Sequence, residues 1–274
     1  MPPLSRRTVL LGLVPLGVAL VAMSSGQAHT KKKKLLVVTV TKGFRHADSI
    51  PVAEDVLKQL GEKSGKFEVD YVRTDAEMTE KMSVAALKNV EGVFFASTTG
   101  ELPLPDRDGF LNWIKEGHAF IGAHAAADTL HEFPAYIDMI GGEFKTHGAQ
   151  VKVDCLLEDT NHPAVKPFNG QTFSVLDEIY QYKNYDRRKV HGLLGMDKHP
   201  NDKTPGYYAV SWCKDYGKGR VFYTSLGHRV DVWKNPIYQQ HVLGGILWAL
   251  KEAKGSAKLP KPDELPAILK TQGK

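Results

Sequence analysis

The chain has 274 residues, 42% of them hydrophobic and 24% charged, with a net charge of +5 at pH 7. That length and apolar share suit one large domain with a full core and exclude a disordered chain. Two cysteines, Cys155 and Cys213, exclude a disulfide framework; whether they pair once in an oxidising compartment stays open.

Ser5-Arg6-Arg7-Thr8-Val9-Leu10 has the form of a twin-arginine signal, an apolar stretch over residues 9–23 follows, and Gly26-Gln27-Ala28 supplies small residues for cleavage before His29. The stretch is about 15 residues, short of the roughly 20 that span a membrane. Residues 1–28 are therefore read as a signal peptide and the mature chain as periplasmic or secreted, with no stable membrane insertion; an uncleaved anchor is the alternative. Taking Arg6 and Arg7 from the 36 basic residues leaves 34 against 31 acids, so the mature chain carries only +3. Much of that charge sits in Lys31 to Lys34, within a basic leader over residues 29–34. No aromatic residues alternate with these lysines, so no nucleic-acid partner is expected.

The domain is expected over residues 35–252. Residues 35–41 read as a buried strand, 51–59 as a helix with Val52, Val56, Leu57 and Leu60 on one face, and 67–72 as a strand with Phe67, Val69 and Tyr71 alternating. A helix over 82–87, a strand over 92–96, a helix over 105–116 opened by Pro105 and ended by Gly117, a strand over 119–123 and a helix over 132–140 continue the alternation. Such βαβ units make a doubly wound, mostly parallel sheet with helices on both faces. After Gly148 the pattern changes: strands over 150–157, 172–176, 190–196, 207–213 and 220–224 add an antiparallel region, the last two joined as a hairpin through Asp215-Tyr216-Gly217-Lys218-Gly219. A helix over 237–251 closes the domain. Residues 253–274, with Pro260, Pro262 and Pro266, form a surface extension.

Three of these strands stop at a turn carrying a histidine: His46, His124 and His228. In an open α/β sheet, residues placed just after a strand gather at one ligand site. Each histidine alone reads equally as a core or surface residue; their shared position raises a common centre, and three imidazoles suit a divalent metal, zinc or manganese. Gly122-Ala123-His124-Ala125-Ala126 has the small-residue form of a nucleophile elbow. Its central histidine disfavours acyl-transfer chemistry of the serine or cysteine kind. Asp128 is read as an N-cap or as a carboxylate orienting an imidazole, His147 as opening the next strand and reaching the same mouth, and Glu178, in Asp177-Glu178-Ile179-Tyr180, as a base or a solvated turn residue. Arg45, Thr98, His162, Tyr180 and Trp212 are candidate substrate contacts, although Asn161-His162-Pro163 reads first as a turn. No phosphate loop or dinucleotide fingerprint is present, so no nucleotide cofactor is expected.

With these motifs in order, the chain resembles the ThuA-like family of trehalose utilisation proteins, in the superfamily of class I glutamine amidotransferase-like folds. The resemblance runs over residues 35–250 and is carried by Lys42-Gly43-Phe44-Arg45-His46, Gly122-Ala123-His124-Ala125-Ala126-Ala127-Asp128, Asn161-His162-Pro163, Asp177-Glu178-Ile179-Tyr180, Gly217-Lys218-Gly219-Arg220 and the Gly227-His228 strand end, with Trp248-Ala249 in the last helix. It implies a flavodoxin-like α/β core and a link to oxidised disaccharides such as 3-keto-trehalose. His124 stands where a true amidotransferase would carry its cysteine, which argues against glutamine hydrolysis. The expected function is an exported enzyme using metal-assisted acid/base chemistry on a keto-glycoside, with His124, Asp128 and Glu178 as catalytic groups and His46, His124 and His228 as metal ligands. The rival is a non-catalytic sugar-binding or sensing protein that stacks rings on Trp212, Tyr180 and Tyr182. A small-molecule sugar is the expected partner in either case, and a homo-oligomer is left open.

Twin-arginine recognition reads a guanidinium pair, which lysine does not reproduce. Replacing both Arg6 and Arg7 with lysine is expected to leave precursor in the cytoplasm, checked by fractionation; a normal periplasmic yield would count against the signal.

Overall fold

The computed structural model describes Met1 and residues 31–261. Residues 2–28 of the expected signal peptide over 1–28, residues 29–30 of the leader, and residues 262–274 of the extension lie outside the described residues. A compact unit that begins at Lys32 holds every strand and helix of the described residues.

β1 (Lys33–Val38) is apolar on both sides: Leu35 and Val37 pack into one core, Leu36 and Val38 into the other. A strand of that kind must be covered on both faces. β3 (Gly92–Ala96) and β4 (Ala119–Ala123) are buried throughout, while β2 (Phe67–Val72) lies at the edge and is partly exposed. Together with β11 (Gly219–Thr224) they pair in parallel in the order β2-β1-β3-β4-β11. α1 (Ser49–Ser64) and α7 (Pro236–Ala249) cover one face with Val56, Leu57, Leu60, Val242 and Ile246. α2 (Asp75–Lys81), α3 (Val84–Leu87), α4 (Arg107–Lys115) and α5 (Pro134–Ile140) cover the other with Met78, Leu87, Phe110, Ile114 and Ile137. Each such side chain contributes about 1.5–3 kcal/mol by leaving water. The expected doubly wound, flavodoxin-like core is present.

The antiparallel strands continue the same sheet. β10 (Pro205–Tyr216) folds back on β11 with Tyr216 opposite Gly219, so the link is only Gly217-Lys218, shorter than the sequence suggests. Gly217 has φ 63°, and a Cβ there would stand 2.7 Å from the Lys115 carbonyl oxygen, so glycine is required. β9 (His191–Lys198), β6 (Val151–Leu157) and β7 (Phe173–Asp177) complete this sheet, which has nine of the eleven strands among the described residues. A separate antiparallel pair, β5 (Glu143–His147) with β8 (Tyr180–Lys183), was not legible in the sequence. His147 ends β5 and does not open the next strand. A short helix α6 (Val230–Lys234) precedes α7.

Caps explain where helix limits depart from expectation. α4 starts at Arg107 because the Asp106 side chain, not Pro105, caps it by accepting from the Gly109 N–H at 2.8 Å. The helix expected over 82–87 is two: Thr74 and Glu77 form a capping box that starts α2 upstream, and Ser83 caps α3. Cys155 and Cys213 are buried free thiols, so the pairing left open by the sequence is not made.

His162 and His241 are both buried, and desolvation pushes them down to about 3 and about 4. The unfolded chain takes a proton at each near pH 6.5 and the folded chain does not. Their contribution to stability is therefore present above pH 6.5 and is lost as pH falls toward 4, by up to about 1.4 kcal/mol per pH unit for each. Urea midpoints are expected to fall between pH 7 and pH 5, and the double variant His162→Gln/His241→Gln to flatten that fall. An unchanged slope in the double variant would refute the assignment.

Candidate functional site

The turns after β4 and β11, and the loop after β1, meet at the carboxyl ends of the parallel strands. His124 is the first residue beyond β4, and its φ of 50° lies in the left-handed region that side chains rarely adopt. Small neighbours permit this: a Cβ at Gly122 would stand 3.0 Å from Tyr223 Cδ2 and 3.1 Å from Ala126 Cβ, and Ala125 to Ala127 are fully buried. The Tyr223 hydroxyl of β11 donates to the His124 carbonyl at 2.7 Å and holds the turn. One strand end away, the Ser225 carbonyl accepts from His124 Nδ1 at 2.9 Å. A carbonyl only accepts, so Nδ1 carries the proton and the Nε2 lone pair is free to face the site.

His124 Nε2 lies 3.1 Å from His46 Nε2, 3.2 Å from His228 Nδ1 and 3.7 Å from Glu178 Oε1. His228 Nδ1 is 3.4 Å from the same Glu178 oxygen, and the four donor atoms lie within 4.8 Å of one another. Donors each about 2.1 Å from a single ion stand about 3.0 Å apart at a right angle and about 3.4 Å apart at a tetrahedral angle. The two imidazole separations from His124 match that range. Hydrogen bonding alone leaves a mismatch, because the one lone pair on His124 Nε2 is faced by two ring nitrogens and accepts from only one. Three imidazoles and a carboxylate are a donor set that suits zinc or manganese.

Each donor is placed by backbone chemistry nearby. His46 ends the loop after β1, and its carbonyl accepts from the Ile50 N–H at the start of α1. Thr99 Oγ1 pins that loop by accepting from Gly43 N at 3.1 Å and donating to the Phe44 carbonyl at 2.9 Å. His228 follows Gly227, whose φ is 118° and whose N–H donates to Asp177 Oδ2 at 2.7 Å. Burial pushes the Asp177 carboxyl up to about 7. Asp177 is thus a clamp on the backbone, while its neighbour Glu178 reaches the histidines. The second Glu178 oxygen lies 3.1 Å from Nδ1 of His147, at the end of β5. Desolvation pushes His46 down to about 4 and His124 well below the ordinary range, so both are neutral donors at neutral pH. The Glu178 carboxylate raises His228 by hydrogen bonding.

A cavity of about 340 Å³ opens over these groups, walled by Asp128 and by the rings of Phe44, Phe144 and Tyr180. A larger hollow of about 520 Å³ beside α5 holds none of the four donors. His46, His124 and His228 come together with Glu178, which the sequence offered as a base, and the Tyr180 ring sits 4.4 Å from that of His124. Asp128 lines the cavity, but the imidazole it holds is His131, at 2.8 Å. The remaining candidates fall elsewhere. Arg45 is exposed and turns back to the Thr39 carbonyl at 3.1 Å. Thr98 is fully buried and bonded to Thr129 at 2.9 Å, because its turn packs inward. His162 is buried against Trp248 and Cys213. Trp212 is fully buried with its indole N–H on the Ile140 carbonyl at 2.7 Å, so it presents no ring to a sugar. Two wall residues escaped the sequence reasoning: Phe44, 69% exposed at the cavity rim within the Lys42 to His46 motif, and Phe144, in the unexpected strand β5.

The family model for ThuA, trehalose utilisation, matches residues 34–249. The chain belongs to the ThuA family. A putative ThuA-like protein from Parabacteroides merdae ATCC 43184 superposes with a TM-score of 0.67 at 21% identity, over 88% of this ThuA chain and 96% of that one. Another, from Bacteroides uniformis ATCC 8492, gives 0.66 at 20% identity over 80% and 93%. A cytoplasmic protein from Salmonella typhimurium LT2 gives 0.53 at 14% identity over 81% and 100%. At these identities the likeness is one of fold. A search of curated proteins finds no match.

Tyr223→Phe removes the donor to the buried His124 carbonyl and keeps the ring. Leaving that carbonyl unpaired is expected to destabilise the ThuA chain by about 1–3 kcal/mol, read from the urea midpoint. A change within about 0.5 kcal/mol would show that the hydroxyl does not hold the turn.

Proposed function

We propose that this ThuA-family chain is an exported, divalent-metal-dependent enzyme acting on a 3-keto-glycoside. The observation that carries the reading is the convergence of His46, His124, Glu178 and His228 beneath a cavity walled by aromatic rings. Those four residues would hold the ion, zinc or manganese, with His147 steadying the outer oxygen of Glu178. When bound, the ion supplies Lewis acidity that favours negative charge on a carbonyl oxygen. Phe44 and Phe144 line the cavity with rings that suit the C–H surface of a sugar, while Tyr180, buried between Phe144 and His124, closes the inner wall.

The family's description as trehalose utilisation and this donor set support the choice of substrate class. A ketone at C3 acidifies the C2 proton and makes the glycosidic oxygen on C1 a β leaving group, so a carboxylate in the wall has a proton within chemical reach. Glutamine hydrolysis finds no support, because the strained turn after β4 carries an imidazole in place of a thiol nucleophile. The rival binding module loses its main platform with the burial of Trp212. The twin-arginine pattern of Arg6 and Arg7 supports export.

Protein purified without a histidine tag is expected to carry one ion per chain and to cleave a 3-keto-glycoside. Chelation should abolish turnover and zinc or manganese restore it. Alanine at His46, His124 or His228 should lower metal content and turnover together, and His147→Ala should weaken metal binding about 10–100-fold. Full metal loading in all three histidine variants, or turnover indifferent to chelation, would sink the proposal.

A further inference from the structure

Besides Glu178, the cavity wall holds one other carboxylate, Asp128. Glu178 faces His228 Nδ1 at 3.4 Å and His147 Nδ1 at 3.1 Å with its two oxygens, whereas Asp128 is held by a different set of groups. His131 Nε2 meets Asp128 Oδ1 at 2.8 Å, and His131 Nδ1 meets Glu143 Oε1 at 2.8 Å. Glu143 in turn accepts from Asn184 Nδ2 at 2.8 Å and pairs with Lys183 Nζ at 2.7 Å. An imidazole with a carboxylate oxygen on each nitrogen donates from both, so His131 carries both protons. The two carboxylates raise His131 although burial opposes them. Glu143 is buried, and it is fixed by the register of β5 on β8, which sets it opposite Lys183. Asp128 ends the same short turn that His124 begins, and its carbonyl accepts from the Gly100 N–H at 2.8 Å. The spacing between the carboxylate and the converging donors is therefore set by one rigid turn.

Resting on the metalloenzyme function proposed for this chain, the geometry assigns Asp128 as the base that takes the C2 proton, with His131 and Glu143 as positioning residues that aim it. The charged His131 on Asp128 Oδ1 favours the ionised form against the burial that raises this carboxyl, and holds it in one rotamer at the cavity wall. The step balances within the substrate. Asp128 takes the proton from C2, the C–H electron pair forms the C1=C2 double bond, the C1–O glycosidic bond breaks with its pair on oxygen, and the proton passes from Asp128 to the departing oxygen. The products are an enone and an alcohol, and no co-reactant is needed. Glu143, His147 and Tyr180 are the further titratable groups near Asp128, and the Nδ1–H of His147 donates to the Gly148 carbonyl at 2.9 Å.

The test uses the metal-loaded full chain with a 3-keto-glycoside in heavy water. Wild type is expected to place deuterium at C2 of recovered substrate, by return of a solvent deuteron to C2 before the C1–O bond breaks. Asp128→Ala should lose about 10²–10⁴-fold in exchange and turnover with its metal retained, and added formate should return part of that loss. Asp128→Asn, which keeps size, guards against a folding effect. His131→Ala should lower kcat about 10–100-fold with KM within about twofold, and His131→Gln, which restores one donor, should recover part. Independently of turnover, ¹⁵N spectra should show both His131 nitrogens protonated at pH 7.5, and one of them deprotonated in Glu143→Gln. Exchange at the wild-type rate in Asp128→Ala overturns Asp128 as base and leaves the metalloenzyme function intact. A neutral His131 in wild type overturns the positioning chain. A metal-loaded wild type that neither exchanges nor cleaves the keto-sugar overturns both proposals together.

Discussion

His124 Nδ1 donates to the Ser225 carbonyl across 2.9 Å, and this bond decides where the lone pair on the opposite ring nitrogen points. The ring sits at a backbone position with φ 50°, on a turn held by the Tyr223 hydroxyl. Both partners come from β11 or its immediate end, and β11 pairs with β4 in parallel with Tyr223 opposite Gly122. The strand pairing that builds the sheet is thus the same contact that fixes the tautomer and the aim of the central imidazole. His46 and His228 then need only reach a nitrogen already in place.

The strain at His124 has a structural counterpart in its neighbours. Ala125, Ala126 and Ala127 are fully buried, and Gly122 leaves no room for a side chain between Tyr223 and Ala126. A larger residue at any of these positions would push on a turn with no slack, because close-packed interiors transmit displacement rather than absorb it. Burial also keeps His46 and His124 neutral, so the environment that makes the turn rigid also leaves the nitrogens as electron-pair donors.

The parallel half of the fold was legible because its physics is local. β1, β3 and β4 are short apolar runs ended by small or polar turns, and the helices between them show caps or glycine stops in the sequence. His46, His124 and His228 were legible for the same reason, as strand ends gather at one edge whatever the loops do. β5 and β8 were not: Glu143, Lys145, Thr146 and His147 show no apolar period, and the pair exists because Phe144 and Tyr180 pack together at 4.3 Å beside the site. With that pair came His147, Phe144 and Glu143, three residues whose roles depend on it.

The amino-acid sequence by itself determined the alternation of strand and helix, the strand-end histidines and the small-residue elbow around His124, since each follows from side-chain size and apolar period along the chain. It did not determine which polar and aromatic residues face the cavity. Trp212, Thr98 and His162 carry suitable chemistry and are buried in cores, while Phe44 is exposed at the rim. Only the tertiary structure decided that, because burial is a property of what packs against a residue from distant parts of the chain. The same holds for Asp128, whose partner is His131 and not the His124 four residues before it: a short turn sets the backbone spacing, but the packing of β5 supplies the Glu143 carboxylate that draws His131 into place.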